Sequence, residues 1–242
     1  MDLSVVIPVY NEEDNIEVLL REVTTALAVC GDYEVIYVDD ASTDRTRERL
    51  RTLRLHYPRL RVIRHLRNCG QSAALLSGIR AARANWIVTL DGDGQNDPID
   101  IPKLIRVRDS VQNLPGELRM VAGQRLNRAD SWRRRFASRL ANAVRRRILA
   151  DATVDTGCGL KLFRRDALLN VPHFDHMHRF LPALIRRDGG VVITVPVRHR
   201  PRLHGCSKYG LFDRLWVGLV DLAGVLWLQH RPCIAAIEEE TP

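Results

Sequence analysis

Three oxygen donors at alternate positions, Asp91, Asp93 and Gln95, follow directly on the run Trp86-Ile-Val-Thr-Leu90, and the segment closes with Asp97-Pro98. In a roughly extended chain, side chains two residues apart turn to the same side, which would aim two carboxylates and an amide oxygen at one point. Hard divalent cations take such oxygens. Magnesium in particular is held by one or two carboxylates, keeps several waters, and draws its remaining ligands from substrate phosphates. The same residues also suit a plain turn, because Asp-Gly pairs are strong turn formers, so the surrounding chain has to decide.

Acids recur at the ends of other apolar runs. Leu3 to Val9 suits a strand buried on both faces and leads into Tyr10-Asn-Glu12-Glu13-Asp14; Tyr33 to Val38 leads into Asp39-Asp40. Ile16, Leu19, Leu20, Val23 and Leu27 step at helical spacing, with Asn11 expected as the cap and Glu12 and Glu13 placed to complement the helix dipole. Asp39 to Asp44 is expected to cap a second helix carrying Leu50, Leu53 and Tyr57. Leu60 to His65 reads as a third strand, Asn68-Cys-Gly70-Gln71 as a turn, residues 73–84 as a small-residue helix, and Trp86 to Leu90 as the fourth strand. Strands alternating with helices predict a doubly wound, mostly parallel α/β sheet, in which ligands sit at the carboxyl ends of the strands. That rule gathers Tyr10, Glu12, Asp39, Asp40, Asp91 and Asp93 on one rim. A dinucleotide-binding domain would need G-x-G-x-x-G after the first strand, where this chain has Tyr10 to Asp14, and no Walker lysine loop is present.

Beyond Pro98 the pattern predicts a helix over Ile101 to Val111 and a strand over Leu118 to Ala122, ending in Gly123-Gln124-Arg125. Nine arginines then fall between Arg125 and Arg147 against the single acid Asp130, while Trp132, Phe136, Leu140, Val144 and Ile148 recur every four residues. This is a basic amphipathic helix, either a solvated arginine face or a surface lying against anionic lipid headgroups. Asp155 to Arg164 reads as a turn feeding a short strand, Phe180 to Arg187 as a short helix, and Val191 to Val197 as the last strand. The cation-rich segment from Arg198 to Tyr209 is expected to form a loop able to close over phosphates. The final helix, Leu211 to Leu228, is apolar but interrupted by Asp213, Arg214 and Asp221, too short an apolar run to span a bilayer. It would lie in an interface, pack on the sheet, or dock on a partner's membrane helices.

The chain of 242 residues suits one domain with a small annex: 1–210 as the main domain and 211–242 as a C-terminal amphipathic helix and tail. A net charge of +8 favours polyanionic partners. Nucleic acid is the less apt one, since 6% aromatics supply no stacking platform among the cations and no recognition motif is present. The five cysteines are scattered and never paired as C-x-x-C, which predicts a reducing compartment, and the start of the chain lacks a basic leader. A cytoplasmic protein, peripheral on the cytosolic face of a membrane, is the expectation.

Four motifs in order, Ser4-Val-Val-Ile-Pro8-Val-Tyr10-Asn-Glu12, Val38-Asp39-Asp40-Ala-Ser-Thr-Asp44, Asn68-Cys-Gly70 and Leu90-Asp91-Gly-Asp93-Gly-Gln95, resemble those of the inverting family 2 glycosyltransferases with a GT-A fold. Within these, the chain is most similar to the dolichol-phosphate mannosyltransferase and polyprenyl-phosphate sugar transferase branch, over residues 3 to 210. The resemblance implies that Pro8, Tyr10, Glu12, Val38 and Asp40 hold the nucleoside of a nucleotide-sugar donor. Asp91, Gly92 and Asp93 would meet its ribose and diphosphate, with a divalent metal, magnesium or manganese, on the Asp91, Asp93 and Gln95 set. Arg125 matches the arginine of the family's G-S-R segment, with Gln124 in place of the serine. Arg202 and Lys208 match a loop that closes over the diphosphates, and Asp155 lies in a turn near the sugar. Gly92 stands where an alanine is common, a slightly more permissive choice. Leu160-Lys161 replaces the Phe-Arg of dolichol enzymes, which sets mannose in question as the sugar. Many relatives of this branch end in membrane spans, whereas this sequence has no stretch apolar enough for one. The implied reaction is inverting transfer of a sugar to a polyprenyl phosphate at an anionic membrane surface, with or without a membrane-spanning partner protein. A sugar hydroxyl is the alternative acceptor, for which Asp155 would act as base. A non-catalytic nucleotide-binding subunit is the remaining reading.

Overall fold

The computed structural model describes residues 1–125, 155–201 and 211–231. The arginine-rich stretch after Arg125 and the segment carrying Arg202 and Lys208 lie outside them. Seven strands, β1 (Leu3–Val9), β2 (Tyr33–Asp39), β3 (Leu60–Arg64), β4 (Trp86–Thr89), β5 (Leu118–Arg125), β6 (Lys161–Arg164) and β7 (Val191–Val197), form one sheet in the order β3-β2-β1-β4-β6-β5-β7. Only β6 runs against its neighbours; the other pairings are parallel. The helices are α1 (Ile16–Ala26), α2 (Thr46–His56), α3 (Gln71–Ala81), α4 (Ile101–Ser110), α5 (Arg165–Leu169), α6 (Leu181–Arg187) and α7 (Leu211–Gln229).

β1 and β2 are buried along their whole length because helices cover both faces. Leu3, Val5, Ile7 and Val9 point into one apolar cluster with Leu19, Leu20, Leu50 and Leu104. Val6 points into the other, with Ile36, Val38, Ile79 and Leu184, so the strand alternation feeds two cores at once. The order of the sheet reverses between β1 and β4, since β2 and β3 lie on one side of β1 and β4 on the other. At that switch the two strands also part. Their pairing ends at Val6 opposite Thr89, and Pro8, which has no N–H to donate, sits just past it. The parting opens the crevice that such sheets use for ligands.

The third helix runs Gln71–Ala81 rather than 73–84, and the end of β5 and the cap of α1 also differ from the sequence expectation. Strand β5 runs on to Arg125 because β7 continues to pair with it, Arg125 lying opposite Val197. Asn11 does not cap α1, whose N-cap is Asn15. Asn11 instead adopts a left-handed backbone, φ 54°. It laces the loops after β1 and β2 together: its N–H donates to Ser42 Oγ at 2.9 Å and its Oδ1 accepts from Thr43 N at 2.7 Å.

Helix α7 is anchored on the second cluster by Val225, with Leu222, Leu226 and Leu228 against it. Arg187 of α6 donates from Nε to the Leu228 carbonyl at 2.8 Å, which also accepts from Arg231 N at 3.1 Å, fastening the helix's end to α6. Among the described residues no helix is long and apolar enough to cross a membrane.

Candidate active site

The carboxyl ends of the strands meet in a cleft of about 360 Å³. Pro8, Tyr10, Glu12 and Asp40 line one half, Asp91, Gly92 and Asp93 the middle, and Thr156, Gly157, Gly159, Lys161, His178 and Arg179 the other half. The sheet order produces this sequence, since β2, β1, β4 and β6 stand side by side.

On the first half, Asp40 is firmly held. One carboxylate oxygen accepts from Cys69 N at 2.9 Å and pairs with His65 Nδ1 at 2.7 Å; the other accepts from Gly70 N at 2.8 Å. His65 passes the chain of hydrogen bonds on to Ser77 Oγ through Nε2, at 2.9 Å. Asp40, His65 and Cys69 are close enough to form a metal-ligating cluster, but these hydrogen bonds already occupy the carboxylate and both ring nitrogens. Val38 does not reach the cleft: its side chain faces α3 in the second core cluster. Asp39 also turns away, its Oδ1 accepting from Ser42 N at 2.9 Å.

In the middle, Asp91 Oδ1 accepts from Gln71 Nε2 at 2.8 Å, and the Asp91 N–H donates to Asn96 Oδ1 at 3.1 Å. Burial, then the charge of Asp93, push the Asp91 carboxyl up to about 6, with Lys161, Arg125 and the Gln71 hydrogen bond pulling the other way. Asp93 is 8% exposed. Two hard carboxylates crowded at a cleft fit a divalent cation. Gln95 does not join them. Gly94 takes φ 70°, the chain turns there, and Asp93 Oδ1 accepts the Gln95 N–H at 3.1 Å. The Gln95 amide is carried away toward the carbonyl of Arg200, 3.5 Å from its Nε2. The acids are thus both a turn and a pair of rim carboxylates. Gly92 is demanded here rather than permissive, because a Cβ would lie 2.6 Å from Val9 Cγ1 and 2.9 Å from the Pro8 carbonyl.

The other half holds what sequence patterning missed. β6 enters antiparallel between β4 and β5 and carries Lys161 opposite Thr89, beside the acids. Lys161 is 4% exposed, donates from Nζ to the Cys158 carbonyl, and forms no ion pair with a described residue. Burial lowers its pKa, against the pull of Cys158, Asp91 and Asp155. Arg125 is paired: its Nε and Nη2 reach the two oxygens of Asp155 at 2.6 and 2.7 Å, and its backbone N–H donates to Asp155 as well, at 3.1 Å. After β7, Arg200 pins the chain to the acidic loop, with N–H to the Gln95 carbonyl at 2.9 Å and its guanidinium on Glu22 and the Asn96 carbonyl.

A mostly parallel sheet with one antiparallel strand and a carboxylate pair at its switch point is the GT-A glycosyltransferase fold. The chain belongs to glycosyl transferase family 2, whose pattern residues 4–171 match. It is 38% identical over 212 residues to the undecaprenyl-phosphate 4-deoxy-4-formamido-L-arabinose transferase of Edwardsiella ictaluri, covering 86% of this chain and 63% of that protein. With the dodecaprenyl-phosphate galacturonate synthase of Rhizobium johnstonii it shares 37% identity over 241 residues, 95% of this chain and 68% of the relative. The chain thus spans about two thirds of the length of these relatives. Among solved structures, the glucosyl-3-phosphoglycerate synthase of Mycobacterium tuberculosis in complex with UDP superposes with a TM-score of 0.67 at 20% identity, over 94% of this chain and 79% of that one. The same enzyme has also been solved with Mn2+, UDP and phosphoglyceric acid, at 18% identity and a TM-score of 0.67, over 94% of this chain and 78% of that one.

Proposed function

We propose that this chain transfers a sugar from a nucleotide sugar to a polyprenyl phosphate, with inversion at the anomeric carbon and with a divalent metal. The observation that carries the reading is the cleft itself: a carboxylate pair, Asp91 and Asp93, shares it with a buried lysine, Lys161, in a family whose relatives are named as polyprenyl-phosphate sugar transferases. Pro8, Tyr10, Glu12 and Asp40 would hold the nucleoside, and Gly92 lets the backbone come close to the diphosphate. Asp91 and Asp93 would hold the metal, magnesium or manganese, and Gln95 joins them only by leaving the Arg200 carbonyl. When bound, the metal supplies Lewis-acid neutralisation of the leaving diphosphate. Arg202 and Lys208 would add charge over the same group.

A phosphate monoester has a second pKa near 6 and is mostly ionised at neutral pH, so its attack needs no strong base. Asp155, held by Arg125 through both oxygens, is poorly placed to serve as one, which favours a phosphate over a hydroxyl acceptor. The site would work at the cytosolic face of an anionic membrane, where its lipid acceptor resides.

The test is a screen of nucleotide sugars with manganese or magnesium and a polyprenyl phosphate, reading release of nucleoside diphosphate and the anomeric configuration of the lipid product. Release that needs a sugar hydroxyl acceptor, or a product with retained configuration, would overturn the reading.

A further inference from the structure

We infer that His178 forms a hydrogen bond with the transferred sugar and is held ready for it by Ser72. This rests on the proposed function for the direction of the donor in the cleft. His178 lies in the short turn Met177–Arg179 that precedes α6 and lines the half of the cleft beyond Asp91, with Lys161 and Arg179. With the nucleoside at Tyr10 and Asp40 and the diphosphate at Asp91 and Asp93, the next group along the cleft toward β6 is the sugar.

The ring is set by two contacts to one hydroxyl. His178 Nδ1 lies 2.8 Å from Ser72 Oγ, and the His178 backbone N–H approaches the same oxygen at 3.5 Å. Ser72 Oγ has one hydrogen and two lone pairs, so it can accept from the backbone and still either donate to Nδ1 or accept from it; in both tautomers Nε2 is left to meet a ligand. Among the described residues no acceptor is bonded to Nε2. The ring stays neutral, near pKa 3, because burial, then Lys161, Arg179 and His176, all oppose its charging. A ring so reluctant to take a proton is ill suited to act as a base and well suited to a hydroxyl. A partly buried polar group of this kind discriminates against an analogue without the matching oxygen, which leaves it unpaired.

The alternative is that the Ser72 contact only fastens α3 to the turn. Calorimetry on the intact chain with manganese separates the two, using UDP, a panel of UDP-hexoses and UDP-hexuronates, and deoxy analogues of whichever binds best. For His178→Phe, UDP affinity should stay within about twofold while affinity for the best UDP-sugar falls about 10-fold, the worth of one hydrogen bond. The deoxy analogue lacking the contacted oxygen should bind the native protein and His178→Phe alike. His178→Gln, which keeps a neutral N–H, should recover most of the loss and guards against a folding artefact. Equal weakening of UDP and UDP-sugar, no advantage of any UDP-sugar over UDP in the native protein, or a native protein indifferent to every deoxy analogue would overturn the assignment. Turnover with polyprenyl phosphate is read separately, so failure of the acceptor reading does not decide this one.

Discussion

Asp155 and Arg125, thirty positions apart, meet in a two-armed ion pair at the end of β5, with both side chains about nine-tenths buried. The pair neutralises an arginine that the sequence alone offers as a bare cation. Asp155→Ala leaves that guanidinium buried without its partner and should cost about 3–5 kcal/mol of stability, measured by urea unfolding. Joining it with Arg125→Met should restore much of the loss. A single variant as stable as the native protein would show the pair to be incidental.

Asp93→Ala should abolish turnover and weaken manganese binding, while unfolding at nearly the native temperature, because a rim carboxylate supports no core. Full activity in that variant, or metal-independent activity in the native protein, would remove the central element of the proposed mechanism.

Ala41 follows Asp40 in the loop between β2 and helix α2, with φ 60°. A left-handed backbone costs an ordinary residue roughly 1–2 kcal/mol, partly offset in glycine by the chain entropy it loses. Ala41→Gly should therefore stabilise the protein by about 0.5–1 kcal/mol, seen as about 2–4 °C in Tm per kcal/mol at this chain length. A lower Tm would show that the methyl group is packed to advantage.

His178 also predicts a pH dependence. Its pKa falls from about 6.5 in the unfolded chain to about 3 in the fold, so the folded state binds the proton less well. The stability it permits is present above pH 6.5 and is lost as pH drops from 6.5 toward 3. His178→Gln should flatten the fall of unfolding free energy across that window. An unchanged slope would assign the acid sensitivity to other groups.

Helix α7 turns Leu219, Val220 and Trp227 outward, at 55%, 56% and 61% exposure, on the side away from Val225. Together with the arginines at 133, 134, 135, 145, 146 and 147, this face should bind anionic vesicles in flotation, weakening with salt because such charges are screened within about 8 Å. Leu219→Ala with Trp227→Ala should reduce binding. Equal flotation with neutral vesicles, or none with either kind, would leave the charge as a solvated face and shift attachment to a protein partner.

The sequence by itself determined the strands, the helices between them, and the acids at the strands' ends, because apolar runs of five to seven residues closed by Asp, Asn or Gly are local signals. These alone put Tyr10, Glu12, Asp39, Asp40, Asp91 and Asp93 on one rim, of which Asp39 turns away to Ser42. What the tertiary structure decided is which groups meet there. Ser72 and His178 are 106 positions apart and touch only because the turn before α6 packs on α3. Lys161 reaches the acids only because β6 inserts antiparallel beside β4, and Arg125 loses its free charge only because that insertion brings Asp155 across to β5. Gln95 and Val38, each placed in the site by spacing or resemblance, leave it for reasons of backbone turn and strand face. Spacing along a chain fixes which residues share an element; burial and charge compensation, which set the chemistry of a site, depend on neighbours that only the folded sheet supplies.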